Sequence, residues 1–423
     1  MRVLLVGAGG REHALAWKIS QSPLCEQLFI APGNAGTHDL GKNVYLSPTD
    51  FLAMESLVEE ERIDLIVVGP EQPLVVGISD YFEARGIPVV GPDQKAAQLE
   101  GSKAFAKSFM RRYRIPTAAY ESFDQDQLGE AINYLKDQQF PIVVKASGLA
   151  AGKGVLICQD YAEAAHAVTQ MLSGEAFGSS GRSIVIEEFL QGTEVSVFVL
   201  TDGKDYLLLP TAKDYKRVGE GDTGLNTGGM GAVSPTPFET PAFLARIKEE
   251  IVLPTLNGLQ EDEITFKGFI FIGLMIVEGE PYVLEYNVRM GDPETQVIMP
   301  RIQSDVLEML AASAKGTLSK YSLEISPDYC TTVVLASGGY PGPYEKGKLI
   351  TGLSRIQNSW VFHAGTIHDG EQIITNGGRV LAISSLGKHL EEALHLSLTN
   401  AVNIEYEGKY YRTDIGADLI GKS

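Results

Sequence analysis

Residues 2–9 read RVLLVGAG and residues 11–20 read REHALAWKIS. The first is a short apolar run ending in a glycine turn, and the second carries its apolar residues at helical spacing. The same alternation returns in ERIDLIVVGP (61–70), PLVVGISDYFEARG (73–86) and IPVVGPD (87–93). Continuous apolar runs separated by helical stretches predict a parallel α/β sheet covered on both faces. In such a sheet the loops after the strands form the ligand crevice, here at residues 7–13, 31–36 and 69–73.

Outward from this unit, KAAQLEGSKAFAKSFMRRY (95–113) is helical. It leads into the strands PIVVKAS (141–147), GVLICQD (154–160) and SIVIEEFL (183–190), which surround one helix, YAEAAHAVTQML (161–172). From Thr193 the pattern turns to long strands with a helix near 241–257, an α+β arrangement of antiparallel character. SDVLEMLAASAKG (304–316) closes that part, and SPDY (326–329) is a plausible boundary. GGYPGPYEKG (338–347), HDGEQ (368–372) and TNGGRV (375–380) then punctuate short strands, which suggests a small β-rich unit with one late helix. The expected fold is multidomain α/β and α+β, divided at 1–101, 102–325 with a smaller subdomain at about 121–190, and 326–423.

The length of 423 residues fits two to four domains. Thirty-five basic against 54 acidic residues give a net charge of −19, which disfavours a nucleic-acid partner. An anionic substrate would have to be held locally, by a few cations and backbone amides in a cleft. Cys25, Cys158 and Cys330 are far apart and form no C-x-x-C pair, as expected in a reducing compartment. The apolar run at 3–8 is too short for a signal-peptide core, and no stretch reaches the length of a membrane span. The expectation is a soluble cytoplasmic protein with no membrane partner.

Several motifs carry chemistry. GAGGRE (7–12) fails the dinucleotide fingerprint, because Glu12 stands where a third glycine belongs. It leaves a helix start at which the amides around Gly9 and Gly10, with Arg11, could face an anion; a glycine turn needed only for packing is the alternative. KASGLAAGKGV (145–155) lies between two strands and lacks the Ser or Thr of a Walker loop. Its amides at Gly152 and the Lys153 ammonium could hold phosphates, with Lys145 as a second point charge. Alone, a lysine at a strand end is more often a snorkelling side chain. IVIEEFLQGTE (184–194) offers Glu187, Glu188 and Glu194 to a nucleotide base and ribose, or forms a solvated acidic turn.

In YVLEYNVRMGDPETQ (282–296), strand alternation places Val283, Glu285 and Asn287 on one face. A carboxylate and an amide oxygen there suit magnesium carrying ATP phosphates. Arg289 and Asp292 follow as an opposite-charge pair able to read an amino acid's carboxylate and ammonium, or as a structural ion pair. KDYKRVGEGDTGLNTGGMGAVSP (213–235) is glycine-dense and long enough to close over substrates, although a flexible excursion would look the same.

Taken in order, GGREHALAW, APGNAGT, VGPEQPLV, EGSKAF, GLAAGKGV, VIEEFL, GDTGLNTGGMGA and EYNVRMGDPE, with YPGPYEKG, VFHAGT and TNGGRVL, resemble the glycinamide ribonucleotide synthetase family across essentially the whole chain. The resemblance implies a preATP-grasp N-terminal domain, an ATP-grasp domain with a nucleotide lid, and a β-rich, barrel-like C-terminal domain. It implies an ATP-dependent carbon–nitrogen ligase of purine biosynthesis that joins glycine to 5-phosphoribosylamine through glycyl phosphate. Magnesium or manganese would be held by Glu285 and Asn287, and ATP by Lys103, Lys145, Glu187 and Glu194. Arg289, Asp292 and Asp214 would lie beside the amino acid, and the loops at Gly10, Asn34 and Glu71 beside phosphoribosylamine. The partners implied are these small molecules, with room for transient contact with neighbouring purine-pathway enzymes.

Three positions depart from the pattern the resemblance implies. Ser147 stands where aspartate is usual, Lys213 where glutamine is usual, and Ile276 in the strand GLMIV where ATP-grasp enzymes often carry a second acidic metal ligand. A biotin-carboxylase-like or carboxyaminoimidazole-forming enzyme shares the domain plan and would depend on bicarbonate. A nucleotide-binding regulatory module is the non-catalytic alternative.

Overall fold

The computed structural model describes residues 1–149, 154–174 and 178–421. The N-terminal unit is a five-stranded parallel sheet in the order Lys42–Asn43, Gln27–Pro32, Arg2–Gly7, Leu65–Val68, Val89–Val90. Arg2–Gly7 is central and apolar because helices cover both faces. The chain leaves it first to one side and later to the other, so the crevice of an open α/β sheet opens at Gly7. Helix Gly10–Ser20 starts there, buries Leu15 and Ile19 against the sheet, and stacks Trp17 on Trp360 of a C-terminal strand at 5.2 Å between ring centroids.

The smaller subdomain is a four-stranded antiparallel sheet, ordered Tyr120–Asp124, Ser183–Glu188, Ile142–Ala146, Val155–Cys158. Helix Tyr161–Leu172 backs it, with the Asp160 carboxylate accepting the Glu163 N–H at 2.9 Å as an N-cap. Its core, built around Val144, Ile186, Val168 and Met171, is separate from the others.

The main antiparallel sheet runs Tyr206–Leu208, Thr193–Thr201, Gly268–Val277, Glu280–Asn287. The helix expected near 241–257 spans Pro241–Ile247 and Leu253–Glu261, joined by a wide π turn at Lys248–Val252. Pro254 lacks the N–H that would bond back to residue 250, and the wider turn just before it absorbs that loss.

A last five-stranded antiparallel sheet is ordered Lys213–Asp214, Gly231–Ser234, Tyr329–Ala336, Arg379–Gly387, Trp360–His363, with helix Leu390–Asn403 against it. It draws strands from both sides of residue 326. Buried Arg301 ties the same join, donating to Ser234 Oγ at 2.8 Å and to the Asp328 carbonyl at 3.0 Å.

Candidate active site

The main sheet, the smaller subdomain and helix Lys103–Arg112 enclose a cleft of about 380 Å³, which continues into a lobe of about 550 Å³ toward Thr193–Ser196 and Lys213–Arg217. Lys103, Glu187, Asp214, Glu71, Glu285, Asn287, Arg289 and Asp292 line the first part, and Lys145 and Glu194 the second. Asn34 lies in a different cleft, while Gly10 and exposed Glu188 line none of the three. Gly152 and Lys153 lie outside the described residues.

Glu285 and Asn287 reach the cleft, but not by simple alternation. The strand pair Gly268–Val277 and Glu280–Asn287 shifts register between Gly273 and Leu274, so Glu285 is opposite Gly273 and Val283 opposite Leu274. This bulge turns Val283 and Tyr286 together into the core and leaves Leu284 facing the cleft with Glu285. The expectation that Val283 shares a face with Glu285 is therefore corrected. The same register corrects the place of the missing second acid. Ile276 is core, paired with Thr193 and Pro281, and the residue across from Glu285 is Gly273, which has no side chain to offer.

The donor set fits a metal shared with a phosphate ligand. Withdrawal from water pushes the Glu285 carboxyl up, but Lys216, Lys103, Lys145 and Arg289 outweigh it and hold the group below the usual carboxylate range, ionised and hard. The Asn287 oxygen accepts from Arg289 Nη2 at 3.2 Å and keeps a second lone pair. Among the described residues no group of three His, Cys, Asp or Glu could hold a metal by itself.

Cations face these ligands. Glu187 Oε2 accepts from Lys145 at 2.9 Å and from Lys107 at 3.0 Å, both nearly dry, and Lys107 also donates to Thr117 Oγ1 at 2.7 Å. Glu187 Oε1 is buried with no partner. Burial pushes Lys107 down to about 8 despite Glu187. Lys107 was missed in the sequence, although it follows Lys103 at i+4 and so shares its helix face. Lys103 is pulled down chiefly by removal from water, opposed by Glu285. Ser147 Oγ accepts the Ala104 N–H at 3.1 Å beside the N-cap Ser102, so this departure still caps helix Lys103–Arg112. Lys216, also missed, reaches Glu194 Oε2 at 2.8 Å; Asp214, Glu194 and Glu285 outweigh its desolvation and hold it well above the usual ammonium value.

Arg289 and Asp292 do not pair with each other. Arg289 donates to Glu100 at 2.7 Å and Glu71 at 3.3 Å, because helix Gln98–Gly101 and the turn opening Glu71–Val75 bring two carboxylates to its fork. Asp292 accepts from Gln296 Nε2 at 2.6 Å and Arg379 Nη2 at 3.1 Å; the Arg379 and Arg11 charges, helped by the Gln296 hydrogen bond, hold it low against its desolvation. Glu294, not foreseen, is buried with Oε1 3.5 Å from Ser196 Oγ; burial and then Asp214 push its carboxyl up to about 8. Asp214 is itself raised, first by desolvation.

At the N-terminal helix the expected anion site is already occupied by protein. Glu12 Oε2 accepts the Gly9 N–H at 2.6 Å, and Glu12 Oε1 accepts from Arg11 Nε at 2.6 Å. Arg11 also donates to the Met290 carbonyl at 3.2 Å. The capping glutamate is the residue that broke the dinucleotide fingerprint. Asn34 spends its amide on the Ala8 and His363 carbonyls, both at 2.8 Å, and its oxygen on the Gly36 and Thr37 amides. It pins the N-terminal crevice to the C-terminal strands. Beside it lies a third cleft of about 540 Å³ between Ala8–Gly9, Gly33–Asn34 and residues 364–367, and Asp292 and Arg379 line both this cleft and the first.

The small antiparallel subdomain over the main sheet, the Glu285–Asn287 donor pair and the facing lysines define an ATP-grasp protein. The chain matches the family descriptions phosphoribosylglycinamide synthetase N domain over residues 1–100, ATP-grasp (A) domain over 101–295 and C domain over 330–418, and it belongs to the phosphoribosylglycinamide synthetase family. It is 48 % identical to a phosphoribosylamine–glycine ligase of Vibrio cholerae, covering 100 % of this chain and 99 % of that one. A Haemophilus influenzae protein of the same name is also 48 % identical, covering 98 % of each. A solved phosphoribosylamine–glycine ligase of Thermotoga maritima superposes with a TM-score of 0.87 at 36 % identity, over 98 % of this chain and 100 % of that one. The biotin carboxylase domain of Hydrogenobacter thermophilus 2-oxoglutarate carboxylase reaches 0.74 at 18 % identity, over 97 % and 92 %, a likeness of fold alone.

Proposed function

We propose that the chain joins glycine to 5-phosphoribosylamine at the expense of ATP, giving glycinamide ribonucleotide, ADP and phosphate in purine biosynthesis. The observation that carries the reading is one cleft in which Glu285 and Asn287 face Lys103 and Lys216 and open onto Arg289, Asp214 and Glu294. Magnesium or manganese, held by Glu285 and Asn287, would neutralise phosphate charge when bound with ATP. Lys145, Lys103 and Lys216 bind and align the triphosphate, and Glu187 and Glu194 orient the base and ribose. The glycine carboxylate attacks the γ-phosphorus to give glycyl phosphate and ADP; the amine then attacks the acyl carbon and phosphate leaves. Positioning and charge neutralisation supply the catalysis, with no protein nucleophile.

Asp214 and Glu294 supply acceptors for the glycine ammonium, while Arg289, tied by Glu71 and Glu100, keeps a reduced set of donors for its carboxylate. The third cleft, rather than the occupied helix start at Gly10, suits phosphoribosylamine, with Arg379 at the wall where it meets the first. The divisions at 1–101, 102–325 and 326–423 and a cytoplasmic site of action belong to the same reading. Among the described residues no helix is long and apolar enough to cross a membrane. Coupled ADP release, omitting each substrate in turn, tests the reading: turnover should need the metal, glycine and phosphoribosylamine together. Equal turnover with bicarbonate in place of glycine, or none with the full mixture, sinks it.

A further inference from the structure

We propose that the C-terminal segment at residues 410–418 positions Lys216 for the reaction, with Arg412 as its anchoring residue. The inference rests on the reading of the cleft as an ATP site. Lys216 stands at the start of an excursion that Thr227 closes at its base, donating its N–H and hydroxyl to the Lys216 carbonyl at 2.8 Å each, but that is thin beyond it. Strands Arg217–Gly219 and Thr223–Asn226 pair only with each other, their register is irregular, and Thr223–Asn226 is exposed along its whole length. A two-stranded ribbon without a covered face is at best marginally stable.

The C-terminal segment supplies what the ribbon lacks. Arg412, only 1 % exposed, donates through Nη1 to the Arg217 carbonyl at 3.1 Å and to Asp222 Oδ1 at 2.7 Å. Its Nε and Nη2 form a two-toothed bond to Asp414 at 2.8 Å each, and Asp414 Oδ2 accepts the Gly221 N–H at 2.7 Å. Tyr410 donates to the Val218 carbonyl at 2.7 Å. Asp418 accepts the Tyr215 hydroxyl at 2.6 Å and pairs with Lys213.

The two residues flanking Lys216 are thus gripped from the C-terminal side. Tyr215 is buried in the C-terminal core, and the carbonyl of Arg217 is tied to Arg412. Lys216 is left to project the other way, into the cleft, where it meets Glu194. Arg412 touches no substrate on this account; it acts through Lys216. A guanidinium is needed because one planar group must serve two carboxylates and a carbonyl at once, which an ammonium cannot do with the same geometry.

The test uses the full chain with Arg412→Lys and Tyr215→Phe, each alone and combined with Lys216→Met, assayed for kcat and for KM of ATP, glycine and phosphoribosylamine. Lys216→Met alone should lower kcat at least a hundredfold. Arg412→Lys should lower kcat fivefold or more with each KM within about twofold, and hydrogen exchange at residues 217–226 should quicken. In the Lys216→Met background the same change should cost less than twofold, since a residue acting through Lys216 has nothing left to position. If Arg412→Lys does not fold, Tyr215→Phe, which deletes one oxygen, carries the same comparison. A loss of equal size with and without Lys216, or kcat within twofold of the parent for both variants, overturns the proposal. Near-normal turnover by Lys216→Met alone would instead overturn the role given to Lys216 in the cleft.

Discussion

Glu294→Gln should make the protein more stable in alkali and worse at its reaction. The folded Glu294 carboxyl keeps its proton up to about pH 8, against an ordinary 4.5, first because it is buried and then because Asp214 stands near. Between those values the folded chain binds more protons than the unfolded chain, so stability falls as pH rises through the window and the whole cost is present above it. At about 1.4 kcal/mol per decade of proton affinity, ionising Glu294 in place costs roughly 3 to 5 kcal/mol. Glutamine has the same shape and no charge to bury. It also removes the repulsion from Asp214 that forms part of that shift.

Melting curves of parent and variant at pH 5.5, 7 and 9 should lie closest at the lowest pH, one decade above the ordinary value and so already about 1.4 kcal/mol apart, and diverge further in favour of the variant, by several degrees, at the highest. kcat/KM for glycine should fall at least tenfold, because the incoming ammonium can draw the proton off Glu294 and pair with the carboxylate, whereas an amide stays neutral; that is about 1.4 kcal/mol or more of lost recognition. Strain left at a functional site in this way is a common exchange of stability for activity. A difference in melting temperature that is the same at pH 5.5 and pH 9, or that favours the parent at pH 9, would refute the reasoning.

Glu285→Gln should fold normally and lose most turnover even at saturating magnesium, read by ADP release; near-normal turnover would remove Glu285 as a principal ligand. Lys145→Ala should weaken ATP binding measured by calorimetry while lowering the melting temperature little, since Lys107 still neutralises Glu187. Arg289→Lys should raise the glycine KM about tenfold and lower the melting temperature as well, because an ammonium cannot satisfy Glu100 and Glu71 together; a glycine KM within twofold of the parent would exclude Arg289 from glycine recognition.

Period and spacing made the parallel sheet, the helix at 161–172 and the cleft-facing Glu285 and Asn287 legible. They failed where a local exception or a distant partner decides. The bulge opposite Gly273 is one inserted residue, and it exchanges the faces of Val283 and Leu284 without any mark in the alternation. Arg289 and Asp292 are near in sequence, so they looked like a pair. Their true partners, Glu100 with Glu71 and Arg379, are between 87 and 218 residues away, and separation of that order leaves no local signal. Lys107 was available from its i+4 relation to Lys103, whereas Glu12 and Asn34 spend their polar atoms on backbone groups that only the fold brings within reach.

The chain's charge of −19 and its anionic substrates are reconciled by where its cations sit. Lys103, Lys107, Lys145 and Lys216 gather along one cleft, each balanced by carboxylates that a bound polyphosphate can displace or join. The Asp292–Arg379 pair then separates this cleft from the third one, and Arg379 is fixed further by the carbonyls of Gly228 at 2.7 Å and Asp292 at 2.5 Å. On the proposed reading the activated acyl group forms on one side of that wall and the amine arrives from the other. On that reading the amine would cross at Asp292 and Arg379, which line both clefts, with Arg379 held by Gly228 to keep the two chambers distinct. Such a division matters for an acyl phosphate, which water would otherwise consume before the amine does.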